Sequence, residues 1–300
     1  MGSYLIKYQE KIFSFIKKKP FLYYWLRLFK NTLGGFSHDG GFHLSAGLAF
    51  FALFATFPML LLGISFLGFH LSHPEAIAGV TDYLNRFLPY QADTIIQNAR
   101  SIANYRGRIG IAGFVILMWV SRGLFLALEY SVNQLWNLDS RRSYIHRNIL
   151  AFALILSLTI LSGLSLLTTT VIAYLTQLEI PILNISICQL SFYGQVNRFI
   201  LSTMFVFLVF TILFKLLPHC RVTIKEIIPG ALFTTILWKL AEMGYLWYMS
   251  NMARMQEIYG SLGGLFGVIF WFYIGAIVFS IGAKFCVVRL RLLGKPPVSI

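Results

Sequence analysis

Apolar residues in this chain run in long blocks rather than in stripes. Six stretches, at about 44–69, 109–130, 149–175, 199–217, 229–250 and 259–287, are almost continuously apolar. Each is close to the roughly 20 residues a helix needs to cross a bilayer core. A surface helix of a soluble protein would show one apolar face only. The pattern therefore predicts an all-α, polytopic membrane protein built as a bundle of six transmembrane helices. Pro58 lies inside the first stretch and predicts a kink there. Pro229 opens the fifth, where a first helical turn tolerates proline. The third is rich in hydroxyls, among them Ser157, Thr159, Ser162 and Thr168, which can bond to carbonyls or across helices.

The flanking segments read differently. Leu5, Tyr8, Ile12, Phe15 and Ile16 follow helical spacing, while Lys7, Lys11 and Lys17 lie off that stripe. This predicts a basic amphipathic helix over residues 4 to about 33, with the aromatic run from Phe21 to Trp25 anchored at headgroup level. Gly34-Gly35 and Asp39-Gly40-Gly41 are expected to break it. Residues 70–108 are more polar but keep helical stripes such as Ile95, Ala99 and Ile102, as in surface helices outside the membrane. The expected organisation is a cytoplasmic, interfacial amphipathic segment at 1–43, a six-span domain at 44–288 with an external helical loop at about 70–108, and a cytoplasmic tail at 289–300.

Composition agrees. Of 300 residues 57% are hydrophobic and 12% charged, about half the charged fraction of a soluble domain. The net charge of +14 would suggest nucleic acid in a soluble chain. Here the lysines and arginines are distributed by side: with the six stretches as spans, seventeen fall on one side and six on the other. The basic side is cytoplasmic, so both termini are expected inside, in keeping with an even number of spans. Membrane orientation and anionic headgroups account for the charge without a specific nucleic acid partner. The three cysteines, Cys188, Cys220 and Cys286, are too scattered for a disulfide framework or a zinc site. Lys17-Lys18-Lys19-Pro20 interrupts the N-terminus before any apolar core, which argues against a cleavable signal.

Arg122 and Lys239 are the two cations left inside the spans, and Glu242 lies one turn beyond Lys239. At 1.5 Å per residue, Arg122 and Lys239 sit roughly 15–20 Å from the starts of their spans, near the midplane. Charge is costly there, and such residues mark functional sites by default. One reading is a cationic cavity in which Arg122 and Lys239 face an anionic substrate and Glu242 is the counter-ion. The other is a buried structural pair, Arg122 with Glu242, joining the second and fifth spans. Gly260, Gly263, Gly264 and Gly267 form two overlapping Gly-x-x-x-Gly pairs, a pattern for close helix packing that also suits a hinge. His70 and His73 lack a third ligand, so no metal site is expected. Glu129 and Asn133 read as interfacial polar contacts at the end of the second span. No nucleotide loop, nucleophile elbow or zinc-protease motif is present, and no cofactor is expected.

Several stretches also match a known pattern. They are Leu44-Ser45-Ala46-Gly47-Leu48-Ala49-Phe50-Phe51 through Phe57-Pro58, Trp119 with Ser121-Arg122, Asn133 with Trp136-Asn137, Pro229-Gly230-Ala231, and Tyr259-Gly260-Ser261-Leu262-Gly263-Gly264. On these residues the chain resembles the YihY/virulence factor BrkB family of bacterial inner-membrane proteins, over about residues 30–290. Phe50-Phe51 stands where that family commonly has tyrosines, and Lys284 where an acidic residue commonly follows Gly-Ala. The resemblance implies a six-span fold in the cytoplasmic membrane. Members have carried a ribonuclease BN label, and others are associated with virulence or envelope lipid transport. The function expected here is a non-enzymatic envelope protein, a transporter or flippase-like carrier of an anionic or lipid-linked substrate, with membrane lipids as partners. A structural or regulatory protein whose buried charges serve packing is the alternative, and a membrane-associated ribonuclease is a third.

Overall fold

The structure, a computed structural model, describes residues 20–70, 106–138, 147–149, 151, 187–251 and 261–297. The first amphipathic stripe, most of the 70–108 loop, nearly all of the third apolar stretch and Gly260 lie outside them. The described residues are mostly helical and contain no strand. Their long helices are α1 (Pro20–His38), α2 (Gly41–His70), α3 (Arg106–Trp136), α4 (Ile187–Leu216), α5 (Ile224–Asn251) and α6 (Ser261–Leu292). Phe199–Leu216 within α4 and Gly264–Leu292 within α6 are long and apolar enough to cross a membrane, and Gly41–Thr56 in α2 is a shorter apolar helix.

Helix ends depart from the expectation in instructive ways. Gly34-Gly35 do not break α1, which runs through them to His38. A glycine inside a helix costs only about 1 kcal/mol, and Gly35 has a packing reason to be there: a Cβ would lie 2.6 Å from Cε of Lys284. The break falls instead at Gly40, whose φ of 74° suits glycine. Helix α5 begins at Ile224, ahead of Pro229, which lies inside it. The Thr223 N–H donates to Glu226 Oε2 at 2.8 Å, the reciprocal half of a capping box that starts the helix early. That N–H, joined by Lys295, holds the Glu226 carboxyl below its ordinary range despite partial burial. Helix α6 continues past the expected end to Leu292, where the Lys295 N–H reaches Leu290 O at 3.0 Å and Gly294 takes a φ of 71°. This is a Schellman closure. Asn137, φ 55°, ends α3 in the same way.

Helix α6 is the centre of the bundle: α1, α2, α3 and α5 all pack on it, α2 pairs extensively with α3, and α4 lies on α5. The α5–α6 crossing is a close one. A Cβ on Gly230 would collide with Sγ of Cys286, and one on Gly282 with Oγ1 of Thr234. Each helix thus offers two small residues four apart, Gly230 and Thr234 against Gly282 and Cys286, as close membrane packing favours. Rings fill the seam on either side, with Phe233 stacked on Phe285 at 4.2 Å and Trp238 edge-on to Trp271 at 5.4 Å. On the opposite flank of α6, buried Ser45 of α2 lies 3.1 Å from Ser280 Oγ and 2.7 Å from Gly41 O.

Candidate functional site

Lys239 and Glu242 come together. Three residues apart on α5, they occupy neighbouring turns of one face, and Lys239 Nζ donates to Glu242 Oε2 at 2.8 Å. The ammonium also donates to Ser202 Oγ of α4 at 3.0 Å and sits 5.6 Å from the centre of the Phe199 ring, within cation–π range. The two charged side chains are 14% and 18% exposed. The centre therefore belongs to the α4–α5 pair and reaches its surface.

Arg122 takes a different partner. Its Nε donates to Asn148 Oδ1 at 3.0 Å, and Glu242 is paired with Lys239. Of the two readings of these charges, the Arg122–Glu242 tie is not among the contacts of the described residues; Glu242 pairs within α5, where a partner one turn away needs no displacement of backbone. About two turns along α3 from Arg122 stands Glu129, buried, accepting from Arg147 Nε at 3.0 Å. Asn133 follows. Its amide donates to Glu129 O at 2.7 Å and Leu217 O at 3.3 Å, and its Oδ1 accepts from the His219 N–H at 2.8 Å. So Glu129 and Asn133 tie α3 to neighbouring segments more firmly than surface contacts would.

Gly267 packs under the Met249 side chain, where a Cβ would lie 3.1 Å from its sulfur. It is a contact of α6 with α5. Gly263 and Gly264 lie in the first turn of α6, and Pro58 lies inside α2, which runs on to His70. Among the described residues no three His, Cys, Asp or Glu side chains are grouped to hold a metal ion. His73 lies outside those residues.

A cluster that local sequence rules do not reveal lies where α1, α3 and α6 meet. Lys284 of α6, 3% exposed, forms an ion pair with Asp39 in the α1–α2 turn and donates to Leu135 O in the last turn of α3 at 2.8 Å. Arg291 donates to Trp136 O at 2.8 Å, and Trp136 Nε1 to Ala283 O at 2.9 Å. Carbonyls at a helix C-terminus lack intrahelical partners and favour cations, so two basic residues of α6 finish α3. His38 Nδ1 also lies 3.0 Å from Asp39 Oδ1. Burial alone would raise the Asp39 carboxyl, but hydrogen bonds and charge from Lys284 and His38 outweigh it and hold the group below its ordinary value. A depressed carboxylate stabilises the fold above its unfolded pKa and ceases to as pH falls through the folded one. The melting temperature of the purified protein should therefore drop as pH is lowered below about 4, and Asp39→Asn should flatten that part of the profile.

The family profile described as Virulence factor BrkB matches residues 32–293, from the buried face of α1 to the closing turn of α6. The chain belongs to the virulence factor BrkB family. Among its relatives are a UPF0761 membrane protein of Chlorobium phaeobacteroides, 25% identical over 265 residues, which cover 88% of this chain and 57% of that protein. A UPF0761 membrane protein of Pseudoalteromonas translucida is 23% identical over 311 residues, 100% of this chain and 97% of the relative. The ribonuclease-like protein YfkH of Bacillus subtilis is 23% identical over 242 residues, 80% and 86% of the two chains. The chain thus spans under two thirds of the Chlorobium relative's length. No solved structure matches it. This BrkB-family chain is a membrane protein, and all the helices described above except the start of α1 fall within the family match.

Proposed function

We propose that this BrkB-family protein is a multi-pass protein of the bacterial inner membrane with both termini in the cytoplasm, and that it carries an anionic or lipid-linked substrate past the Lys239–Glu242 centre. In this reading α2 to α6 supply five spans and the segment at 149–175 a sixth. The observation that carries it is the geometry of the pair. A charged residue near the bilayer centre costs about 2.5–3.5 kcal/mol on insertion scales. A pair kept for packing should tie two helices together in return. Lys239 and Glu242 lie on one helix, and among the described residues their ties to another are a serine hydroxyl and the face of the Phe199 ring. Their retention is better accounted for by binding than by fastening.

The packing alternative suits the other charges. Lys284 with Asp39 and Glu129 with Arg147 each join separate segments, and for these a structural role is proposed. YfkH's ribonuclease-like name raises an enzymatic alternative, which RNA cleavage by the purified protein would reveal. We read the present chain as non-enzymatic.

The test is access. Single cysteines at Lys239 and Glu242, in protein with Cys188, Cys220 and Cys286 replaced, should react with a membrane-impermeant thiol reagent from at least one side of the membrane. Complete protection from both sides, in protein that still folds, would overturn the carrier reading.

A further inference from the structure

The surroundings of the Lys239 centre narrow its substrate. Ser202 is exposed, and Lys239 and Glu242 both keep some exposure, so the polar groups reach the outer surface of the α4–α5 pair. That surface is otherwise apolar. Phe199, Ile200 and Met204 of α4 and Ile236, Leu240 and Met243 of α5 are all more than half exposed. Leu240 and Met243 directly follow Lys239 and Glu242 in sequence, and Ile236 lies one turn before Lys239, so on α5 the apolar strip borders the charges. A polar spot set in a broad apolar surface is the complement of an amphiphile.

We propose that this centre opens sideways to the bilayer between α4 and α5, and that it takes the phosphate-type headgroup of a lipid whose chain lies along the adjoining apolar strip. The proposal rests on the carrier reading above and names its substrate class and its route. Three physical arguments support it. An ammonium has three donors, of which Glu242 and Ser202 accept two. The third donor and the Ser202 hydroxyl proton suit oxygens of a phosphate group, in the charge-assisted bonds that are the strong ones. Glu242 keeps the centre neutral overall, which makes it tolerable in apolar surroundings, and a headgroup anion would compete with that carboxylate for Lys239. Finally, a soluble anion reaching this face would have to shed its hydration against an apolar surface. A lipid arrives with its chain already in hydrocarbon.

The experiment uses the full chain in nanodiscs of equal parts phosphatidylethanolamine and phosphatidylglycerol. The probe is phosphatidylglycerol with a photoactivatable diazirine in its acyl chain, and adducts are mapped by peptide. The expected result is adducts within 199–204 and 236–243, reduced about tenfold in Lys239→Met, as the loss of a charged hydrogen bond implies, and retained in Lys239→Arg. Ser202→Ala leaves the ion pair intact and should also reduce them, which guards against a Lys239→Met protein that fails to fold. Equal adducts in all four proteins would mean ordinary contact with surrounding lipid and would overturn the proposal. Suppose instead that soluble glycerol phosphate protects a cysteine at Glu242 from labelling while no lipid adduct forms. The site would then be one for a soluble anion, so the lateral route would fall and the carrier reading would stand. If neither lipid adducts nor thiol labelling occurs, both fall.

Discussion

Replacing Gly282 by valine is expected to prise α5 from α6 and to destabilise the protein by about 3 kcal/mol or more, at or above the upper end of ordinary overpacking. A Cβ at this position would strike Thr234 Oγ1 and would lie 2.8 Å from that residue's Cβ. Thr234 cannot turn aside. It is fully buried, β-branched and therefore stiff, and its hydroxyl donates to Gly230 O at 2.7 Å. The helices must separate, and the Gly230–Cys286 contact one turn along the same seam opens with them. On the proposed six-span reading both are membrane helices, between which close packing is a principal attraction, because lipid is as apolar as the side chains. Thermal unfolding in detergent would measure the loss. Gly244→Ala is the control on α5: nothing lies within 4 Å of its added methyl, so stability should stay the same or rise slightly. Equal losses in the two variants would show that the seam is not the tight point of the bundle.

The second large effect is expected from Lys284→Met. Methionine keeps the length and removes the charge. Asp39, whose side chain is 13% exposed, then keeps, among the described residues, only the His38 ring as a side-chain hydrogen-bond neighbour, and Leu135 O loses its donor. Removing one partner of a buried pair costs about 3–5 kcal/mol, much of it for the partner left behind. Asp39→Asn combined with Lys284→Met should therefore melt higher than Lys284→Met alone, with a coupling well outside additivity. If the double variant were no better than the single one, Lys284 would be acting through its bond to the α3 terminus.

These two sites also show what can be read from a sequence of this kind. The apolar blocks located α2, α5 and α6 closely, because a continuous apolar segment is a local property, but α4 begins at Ile187, twelve residues before the apolar run that predicted it. The Lys239–Glu242 pair was visible as spacing for the same reason, although spacing alone left Arg122 open as a rival partner. Gly35 was misjudged as a helix breaker, since its neighbour is Lys284, far along the chain, and no local rule contains that contact. The same distance hid Lys284 itself, which looked like one more basic residue near a cytoplasmic end. The glycines at 260–267 stood out by pattern, yet the close α5–α6 crossing is made by Gly230 and Gly282, matched only across two helices. The Thr223–Glu226 capping box was a local signature in plain view and would have set the start of α5 correctly.

The central place of α6 has a consequence for how the protein is made. Four of the other described helices rest on it, and it is the last of them to leave the ribosome. Synthesis proceeds at about 5–20 residues per second, so Asp39 waits many seconds for Lys284 while α1, α2 and α3 are already in place. Until then these helices lack their common surface, and Gly230 faces no seam. A chain halted before α6 would lack the element that gathers the other helices, and would be open to proteolysis for that interval.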